Sequence, residues 1–162
     1  MSIKKKISVI GLGYVGLPLA VALSKTFEVM GFDKNESRVK ELNAHNDKTL
    51  EVTKKELKKN YNLKISSNQN DIAGSDIFIA TVPTPIDQKN NPDLTSLKLA
   101  SKIIASSLKK GSIIVYESTV YPGCTEEICI PILEKFSNLT FNKDFFVGYS
   151  PERINPGDKN YK

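Results

Sequence analysis

Short apolar runs alternate along the chain with longer stretches in which apolar residues recur every three or four positions. The short runs lack the apolar–polar alternation of a half-exposed strand, so they predict strands buried on both faces. These strands are predicted at residues 7–10, 28–33, 63–66, 76–82, 112–117 and 145–149. The longer stretches predict helices at residues 11–25, 94–108 and 123–136, a short helix within 49–59, and a helix after residue 33 with Val39 and Leu42 on its inner face.

Strands buried on both faces indicate a parallel sheet, and the helices between them supply the crossover connections that parallel pairing requires. Alternation through six strands predicts a Rossmann-type doubly wound α/β domain over residues 1–162, with helices on both faces of the sheet. After Tyr149 the pattern predicts no further element. We therefore expect residues 150–162 to begin a linker to central and C-terminal domains that the sequence lacks.

Composition narrows the function classes. The net charge of +5 comes from scattered lysine pairs, and no basic stripe with interleaved aromatic residues predicts nucleic-acid binding. The apolar runs near residues 77 and 113 are too short to span a membrane. Cys124 and Cys129 match neither a zinc spacing nor a Cys-x-x-Cys pair, so we expect no metal, reduced thiols and a cytoplasmic location.

The sequence GLGYVG at residues 11–16 has the glycine spacing of a dinucleotide-binding turn. It follows a predicted strand, opens a predicted helix, and Asp33 ends the next predicted strand twenty positions after Gly13. In such a turn Gly11 permits the tight bend, Gly13 lets a pyrophosphate approach the backbone, and Gly16 lets the helix pack against the strand. This context predicts a dinucleotide site.

The charge of Asp33 indicates which dinucleotide. A carboxylate accepts hydrogen bonds from both ribose hydroxyls of an adenosine and repels a 2′-phosphate, so the sequence favours NAD over NADP. Arg38 could instead offer a cation to that phosphate. With Asp33 present, we expect the Arg38 guanidinium to lie over the adenine face or beside the ribose.

Residues 4–24 are open to a second interpretation as a secretory signal peptide, because three lysines precede an apolar stretch. The glycines and Pro18 would weaken the helical apolar region of such a signal. That interpretation also gives no reason for an acidic residue at position 33. We therefore favour the dinucleotide site.

Three further sequence features follow the glycine turn and Asp33 in order along the chain: VPTP at 82–85, ESTV at 117–120 and SPER at 150–153. With them the chain resembles the NAD-binding N-terminal domain of the UDP-glucose/GDP-mannose dehydrogenases, which are four-electron nucleotide-sugar 6-dehydrogenases. The segment PERINPG at 151–157 resembles the branch that acts on UDP-N-acetylhexosamines. UDP-glucose enzymes instead usually carry Phe-Leu after the Pro-Glu pair.

The resemblance implies roles for several residues. It implies that the N–H groups of Tyr14 and Val15 bind the pyrophosphate, that Thr84 lines the path of the cofactor, and that Thr119 lies near the nicotinamide and positions a water or the substrate oxygen. Two simpler interpretations stay open. The prolines beside Thr84 would also stiffen a loop, and Thr119 would also serve as a helix cap.

The resemblance assigns catalytic work to Glu152, as the base that assists water attack on a thioester intermediate. Arg153 and Ile154 are implied to contact the substrate, although a Glu152–Arg153 surface pair is the simpler alternative. The nucleophilic cysteine and catalytic lysine of the family belong to later segments. Cys124, predicted at a helix N-terminus, has no histidine placed as its base, since His45 falls in a polar loop.

The resemblance thus implies that the chain is the cofactor-binding part of a larger enzyme. The full-length protein is expected to be a homodimer that oxidises a UDP-N-acetylhexosamine to a uronic acid in two NAD-dependent steps, for surface polysaccharide such as capsule or O-antigen. The isolated chain is expected to bind NAD and turn over nothing. The alternatives are the same domain of a UDP-glucose 6-dehydrogenase, an NAD-sensing module without chemistry, and a two-electron dehydrogenase of a hydroxy acid or acyl-CoA.

Overall fold

The computed structural model describes residues 5–59, 62–86 and 91–151. Its centre is a six-stranded parallel sheet, which confirms the predicted number of strands and their direction. The strands are β1 (Lys6–Ile10), β2 (Glu28–Phe32), β3 (Leu63–Ser66), β4 (Ile77–Ala80), β5 (Ser112–Tyr116) and β6 (Phe145–Tyr149). The spatial order is β3-β2-β1-β4-β5-β6.

In the described part of the chain, five α-helices connect these strands: α1 (Gly16–Ser24), α2 (Glu36–Asn43), α3 (Lys54–Lys58), α4 (Thr95–Ala105) and α5 (Ile130–Ser137). The predicted helix at 11–25 begins only at Gly16, because residues 11–15 form the turn that leads into it. The predicted helix at 123–136 is divided into a π-helical turn, Thr125–Cys129, and α5. A 3₁₀ turn at Gln69–Ile72 had no predicted counterpart.

The helices pack on both faces of the sheet, as the sequence predicts. On one face, Leu17 of α1 and Leu42 of α2 pack with Val9 of β1 in one buried cluster. On the other, Leu97 of α4 and Leu133 of α5 pack with the buried side chains of β4 and β5. Val39 and Leu42 are both buried on α2, as predicted. Each fully buried leucine contributes roughly 2 kcal/mol from the apolar area removed from water.

The strand order places the candidate residues at one edge of the sheet. The chain reverses its direction of progress across the sheet between β3 and β4, so β1 lies between β2 and β4. In open parallel sheets this reversal leaves a crevice at the carboxyl ends of the central strands, where ligands bind. Gly11 follows β1, Asp33 follows β2 and Thr81 follows β4, so all three residues lie at this crevice.

Several of the residues to which the sequence assigns a role lie outside the residues that the structure describes. Glu152, Arg153 and Ile154 lie outside them, as do residues 155–162 of the expected linker. Within the described ranges, no helix is long and apolar enough to cross a bilayer. The same ranges contain no group of three or more histidine, cysteine, aspartate or glutamate residues able to hold a metal ion.

Candidate dinucleotide-binding site

The three glycines of the turn meet different surroundings. Gly11 has a φ of +97° and donates its N–H to the carbonyl of Phe32 at 2.8 Å, which ties the turn to the end of β2. A Cβ on Gly16 would lie 1.8 Å from the carbonyl oxygen of Gly11, so only glycine fits where α1 begins. A Cβ on Gly13 would meet no atom within 4 Å. Gly13 therefore leaves open space rather than relieving a clash.

Thr81 fixes the turn from the adjacent strand. Its hydroxyl donates to the carbonyl of Gly11 at 2.8 Å and also lies 3.1 Å from the carbonyl oxygen of Ile10. The apolar pattern predicts Thr81 only as part of a strand and does not predict this role. The available signal was a hydroxyl residue directly after the apolar run IFIA, at the edge where the phosphate turn lies.

Asp33 is held between the turn and the start of α2. One carboxylate oxygen accepts the N–H of Leu12 and the other accepts the N–H of Asn35, each at 2.9 Å. Asn35 in turn caps α2 by accepting the N–H groups of Ser37 and Arg38. A carboxylate has about four acceptor positions. Asp33 is thus oriented by the protein and keeps acceptor capacity for two ligand hydroxyls.

Arg38 is held by three contacts within the protein, and the expected position of its guanidinium over the adenine or beside the ribose stays a prediction. Its Nε donates to the carbonyl of Leu12 at 3.0 Å, Nη1 contacts Glu41 at 2.8 Å, and Nη2 contacts Asp47 at 2.7 Å. Only 11% of the side chain is exposed. The cause is the pair of acidic side chains behind the turn, which hold both ends of the guanidinium.

A cleft of about 320 Å³ adjoins the turn, large enough for part of a dinucleotide. Its walls come from the turn, the end of β2, the segment after β4 and the exposed side of α4, with lining residues that include Gly11, Gly13, Asp33, Val82, Leu99 and Ile103. Leu99 is 37% exposed there. The contribution of α4 was not predicted, because the apolar positions of a helix in the sequence do not show which strand the helix will lie beside.

Tyr14 and Val15 precede α1 and do not line this cleft. Tyr14 is 51% exposed, and Val15 occupies the N-cap position, from which no side chain caps the helix. The first N–H groups of a helix have no partner within the helix itself. A ligand anion at this end of α1 would therefore meet uncapped donors and the positive end of the helix dipole.

The VPTP and ESTV segments lie side by side. The Thr84 hydroxyl donates to the carbonyl of Thr119, and the Ser118 hydroxyl donates to the carbonyl of Val82 at 2.7 Å. Thr119 is exposed, and the helical turn that follows it has Cys124 at its N-cap. The helix-cap interpretation of Thr119 is therefore wrong. The segments after β4 and β5 form one connected rim beside the crevice.

The cysteines and the histidine do not form a nucleophilic site. Cys124 and Cys129 are buried, and neither forms a disulfide. Burial raises the pKa of the Cys124 thiol and raises that of Cys129 to about 11, which is opposite to the activation that a helix N-terminus would give. His45 is half-buried and follows α2 in a left-handed conformation, with a φ of +58°.

Comparison with known proteins identifies the family. Residues 5–162 match the UDP-glucose/GDP-mannose dehydrogenase family, NAD binding domain. The chain is 58% identical over 157 residues to UDP-N-acetyl-D-glucosamine 6-dehydrogenase of Pseudomonas aeruginosa, covering 97% of this chain and 37% of that protein. It is 56% identical over 155 residues to Protein CapL of Staphylococcus aureus, covering 96% of this chain and 36% of CapL. The chain thus spans little more than a third of these relatives.

Solved structures agree with the sequence match. A UDP-D-ManNAc dehydrogenase from Pyrococcus horikoshii superimposes with a TM-score of 0.84 at 33% identity, over 94% of this chain and 37% of that one. A GDP-mannose dehydrogenase from Pseudomonas aeruginosa, solved as a ternary complex, gives a TM-score of 0.83 at 27% identity, over 93% and 36%. The predicted fold, family and NAD cofactor are confirmed. The chain belongs to the UDP-glucose/GDP-mannose dehydrogenase family and is that family's NAD-binding domain.

Proposed function

We propose that NAD lies in the cleft beside the turn, with its pyrophosphate at Gly13 and the N–H groups of Tyr14 and Val15, and its adenosine ribose on Asp33. The observation that carries this proposal is the Asp33 carboxylate, which two backbone N–H groups orient at the edge of the cleft. The open space at Gly13 and the apolar wall formed by Leu99 support it.

The same arrangement favours NAD over NADP. A 2′-phosphate on the ribose would lie against the negative charge of Asp33. Arg38 does not offset this repulsion, because its guanidinium is already paired with Glu41 and Asp47. Lys34 is exposed beside the cleft, but an exposed lysine stabilises a neighbouring anion only weakly in water.

We propose that the full-length protein is a UDP-N-acetylhexosamine 6-dehydrogenase that uses NAD in two oxidation steps. The identities of 58% and 55% to two UDP-N-acetyl-D-glucosamine 6-dehydrogenases support this substrate class. So does the PERINPG segment. In this proposal Thr119 lies near the nicotinamide, Thr84 lines the cofactor path, Glu152 serves as base, and Arg153 and Ile154 contact the substrate. A UDP-glucose 6-dehydrogenase is the second candidate within the family.

We further propose a role in surface polysaccharide synthesis, as capsule or O-antigen, in the cytoplasm. The relative named CapL supports the first point, and the free thiols of Cys124 and Cys129 support the second. Residues 150–162 would lead to the central and C-terminal domains, and the full-length protein would be a homodimer. The alternative of an NAD-sensing module gives no reason for the threonine at 119 or the PERINPG segment.

Exchange of the orienting carboxylate tests the cofactor site. Asp33→Asn keeps the shape but replaces one acceptor oxygen by an NH₂ group that faces a backbone N–H, so the affinity for NAD is expected to fall by about tenfold. The ratio of the affinity for NAD to the affinity for NADP should fall as well. Asp144→Asn is the matched control, because Asp144 also accepts a backbone N–H, that of Thr140, but does not line the cleft. Equal effects of both variants would contradict the proposed site.

Substrate choice is tested on the full-length protein. NADH production with UDP-N-acetyl-D-glucosamine should exceed that with UDP-glucose, and a reversed preference would favour the second candidate. A Glu152→Gln variant should still carry out both oxidations in the first turnover and release two NADH per active site. Because hydrolysis of the thioester would be slowed, the oxidised sugar should stay bound to the enzyme and steady-state NADH production should fall. An open reading frame that stops near residue 162 would support the sensor instead.

A further inference from the structure

One part of the parallel sheet lacks a helical cover in the described chain. Parallel sheets are normally covered on both faces. On the face that carries α1 and α2, the strands β1, β2 and β4 contribute buried side chains to the cluster, and Val115 of β5 is only partly buried at its margin. Beyond Val115, the same face continues over β5 and β6 with apolar side chains that stay exposed.

The exposed side chains on this face are cross-strand neighbours. Ile113 of β5 and Phe146 of β6 lie side by side in the parallel register and are 41% and 46% exposed. Ile113 is two residues before Val115, so both point to the same face, and Phe146 points there with its neighbour. Gly148 lies beside Val115 in the register, and a Cβ there would meet no atom of the described residues within 4 Å. We call Ile113, Val115, Phe146 and Gly148 the open face.

The strands of the open face carry no charge that would suit this surface to water. Neither β5 (SIIVY) nor β6 (FFVGY) contains a charged residue, although β6 is an edge strand. Exposed edge strands normally carry charges, as β3 does with Lys64 at the opposite edge. Phe136 on α5 is also 47% exposed, but the ammonium groups of Lys102 and Lys135 lie 5.3 and 5.8 Å from its ring centre. The open face therefore resembles a surface that is buried against protein.

Two observations indicate what covers the open face. Ile113 and Phe146 are the second residues of their strands, whereas dinucleotides bind at the carboxyl ends. A cofactor at that edge would lie at the other end of the strands. In addition, β6 is the last described strand, so the chain that follows Pro151 leaves beside this face. This chain covers only 37% and 36% of two matched relatives, which leaves room for a covering segment in a longer protein.

We propose that a helix from the part of the full-length protein that follows residue 162 packs its apolar side on the open face. Gly148 lets this helix approach β6 closely, and Ile113 and Phe146 pack along its side. A helix fits better than a strand, because helices cover the rest of this face. The proposal rests on the longer protein proposed above and does not depend on NAD binding.

Thiol labelling tests whether the open face is covered. Phe146→Cys places a thiol on the face, and Phe136→Cys is the matched control, because Phe136 has nearly the same exposure. Each variant is made in the 162-residue chain and in the full-length protein, with the buried Cys124 and Cys129 as the slow reference. Maleimide labelling at position 146 should be at least about tenfold slower in the full-length protein, because a covered site reacts only after local opening. Labelling at position 136 should change less than about twofold.

A charged substitution gives a second test. Phe146→Lys should shift the urea midpoint of the 162-residue chain little, because residue 146 is already half exposed there. In the full-length protein the same change places a lysine under the helix, so the urea midpoint should fall clearly below that of the wild type. Phe146→Leu keeps an apolar side chain and should recover most of this loss. Failure of the full-length lysine variant to fold, while the 162-residue variant folds, would support the proposal in the same way.

Four results would overturn the proposal. Equal labelling at position 146 in the two proteins would show that the face is open in both, and equal slowing at position 136 would show that the protection is not specific to this face. Slow labelling of the 162-residue chain that becomes faster on dilution would show that a second copy covers the face. A reading frame that ends near residue 162 would leave no segment to cover it. Titration of the 162-residue chain with NAD is independent of all four results, so the proposed cofactor site is tested separately.

Discussion

At the scale of single residues, the site depends on which backbone groups are held and which are left open. Gly16 is required because a side chain would collide with the backbone of Gly11, whereas Gly13 is required only if something else occupies the space beside it. Thr81 and Arg38 hold the turn from opposite sides. The glycine spacing predicts the turn, but it does not predict these two contacts, because both come from residues far along the chain.

Alanine at Gly16 and at Gly13 should therefore have different effects. At Gly16, the helix propensity gain of about 1 kcal/mol is outweighed by displacement of a backbone oxygen 1.8 Å away, so we expect a loss of about 2–3 kcal/mol of unfolding free energy. At Gly13, stability should change by less than about 1 kcal/mol, while the affinity for NAD falls by about tenfold. Urea unfolding and calorimetric titration measure the two effects. A Gly13→Ala variant with normal NAD affinity would contradict the pyrophosphate position.

Removal of the Thr81 hydroxyl should destabilise the domain. Thr81→Val keeps the shape but leaves the partly buried Gly11 carbonyl without its donor, at a cost of about 1–3 kcal/mol. Thr81→Ser keeps the hydroxyl and should recover most of the loss. Urea midpoints of the three proteins measure this order, and equal stability of the valine and serine variants would contradict it.

At the scale of elements, alternating apolar runs predict the six strands and their parallel pairing, because strands covered on both faces differ from half-exposed ones in composition. Strand β3 and strand β6 are found at the predicted residues. The residue at which a helix begins is less predictable where the preceding turn carries apolar residues, as at Tyr14 and Val15 before α1. The π-helical turn at Thr125–Cys129 was unpredictable, because its residues also fit a regular helix.

The segment between α2 and α3 is organised by Asp47 and gives the domain an acid-dependent stability. Burial by itself raises the pKa of Asp47, but hydrogen bonds from Thr49, Val52 and Arg38 together hold it below the ordinary 3.8. A lowered folded-state pKa stabilises the fold above the unfolded value and loses that contribution as the pH falls through the folded value.

We therefore expect the unfolding free energy to be level near neutral pH and to fall as the pH drops below about 4. Asp76 and Asp144 contribute with the same sign, because their pKa values are also lowered, mainly by Lys109 and by the N–H of Thr140, respectively. Asp47→Asn should lower stability at neutral pH and flatten the acid slope. Urea unfolding across the pH range measures both, and an unchanged slope would assign the acid dependence to the other two carboxylates.

At the scale of the whole molecule, the chain corresponds to little more than a third of the length of its relatives. It covers 37% of the Pseudomonas aeruginosa relative, and the described residues contain a cofactor cleft but no activated thiol. We expect the 162-residue chain to bind NAD and to produce no NADH from UDP-N-acetyl-D-glucosamine. Absorbance at the NADH band measures this directly, and turnover by the chain alone would require a nucleophile other than the one implied by its family.

The central claim is that Asp33 and the glycine turn form an NAD site, and calorimetric titration of the 162-residue chain with NAD and with NADP tests it most directly. The arrangement of Asp33, with both carboxylate oxygens oriented by backbone N–H groups, predicts saturable binding of NAD and weaker binding of NADP. Tighter binding of NADP, or no binding of either dinucleotide, would contradict the claim.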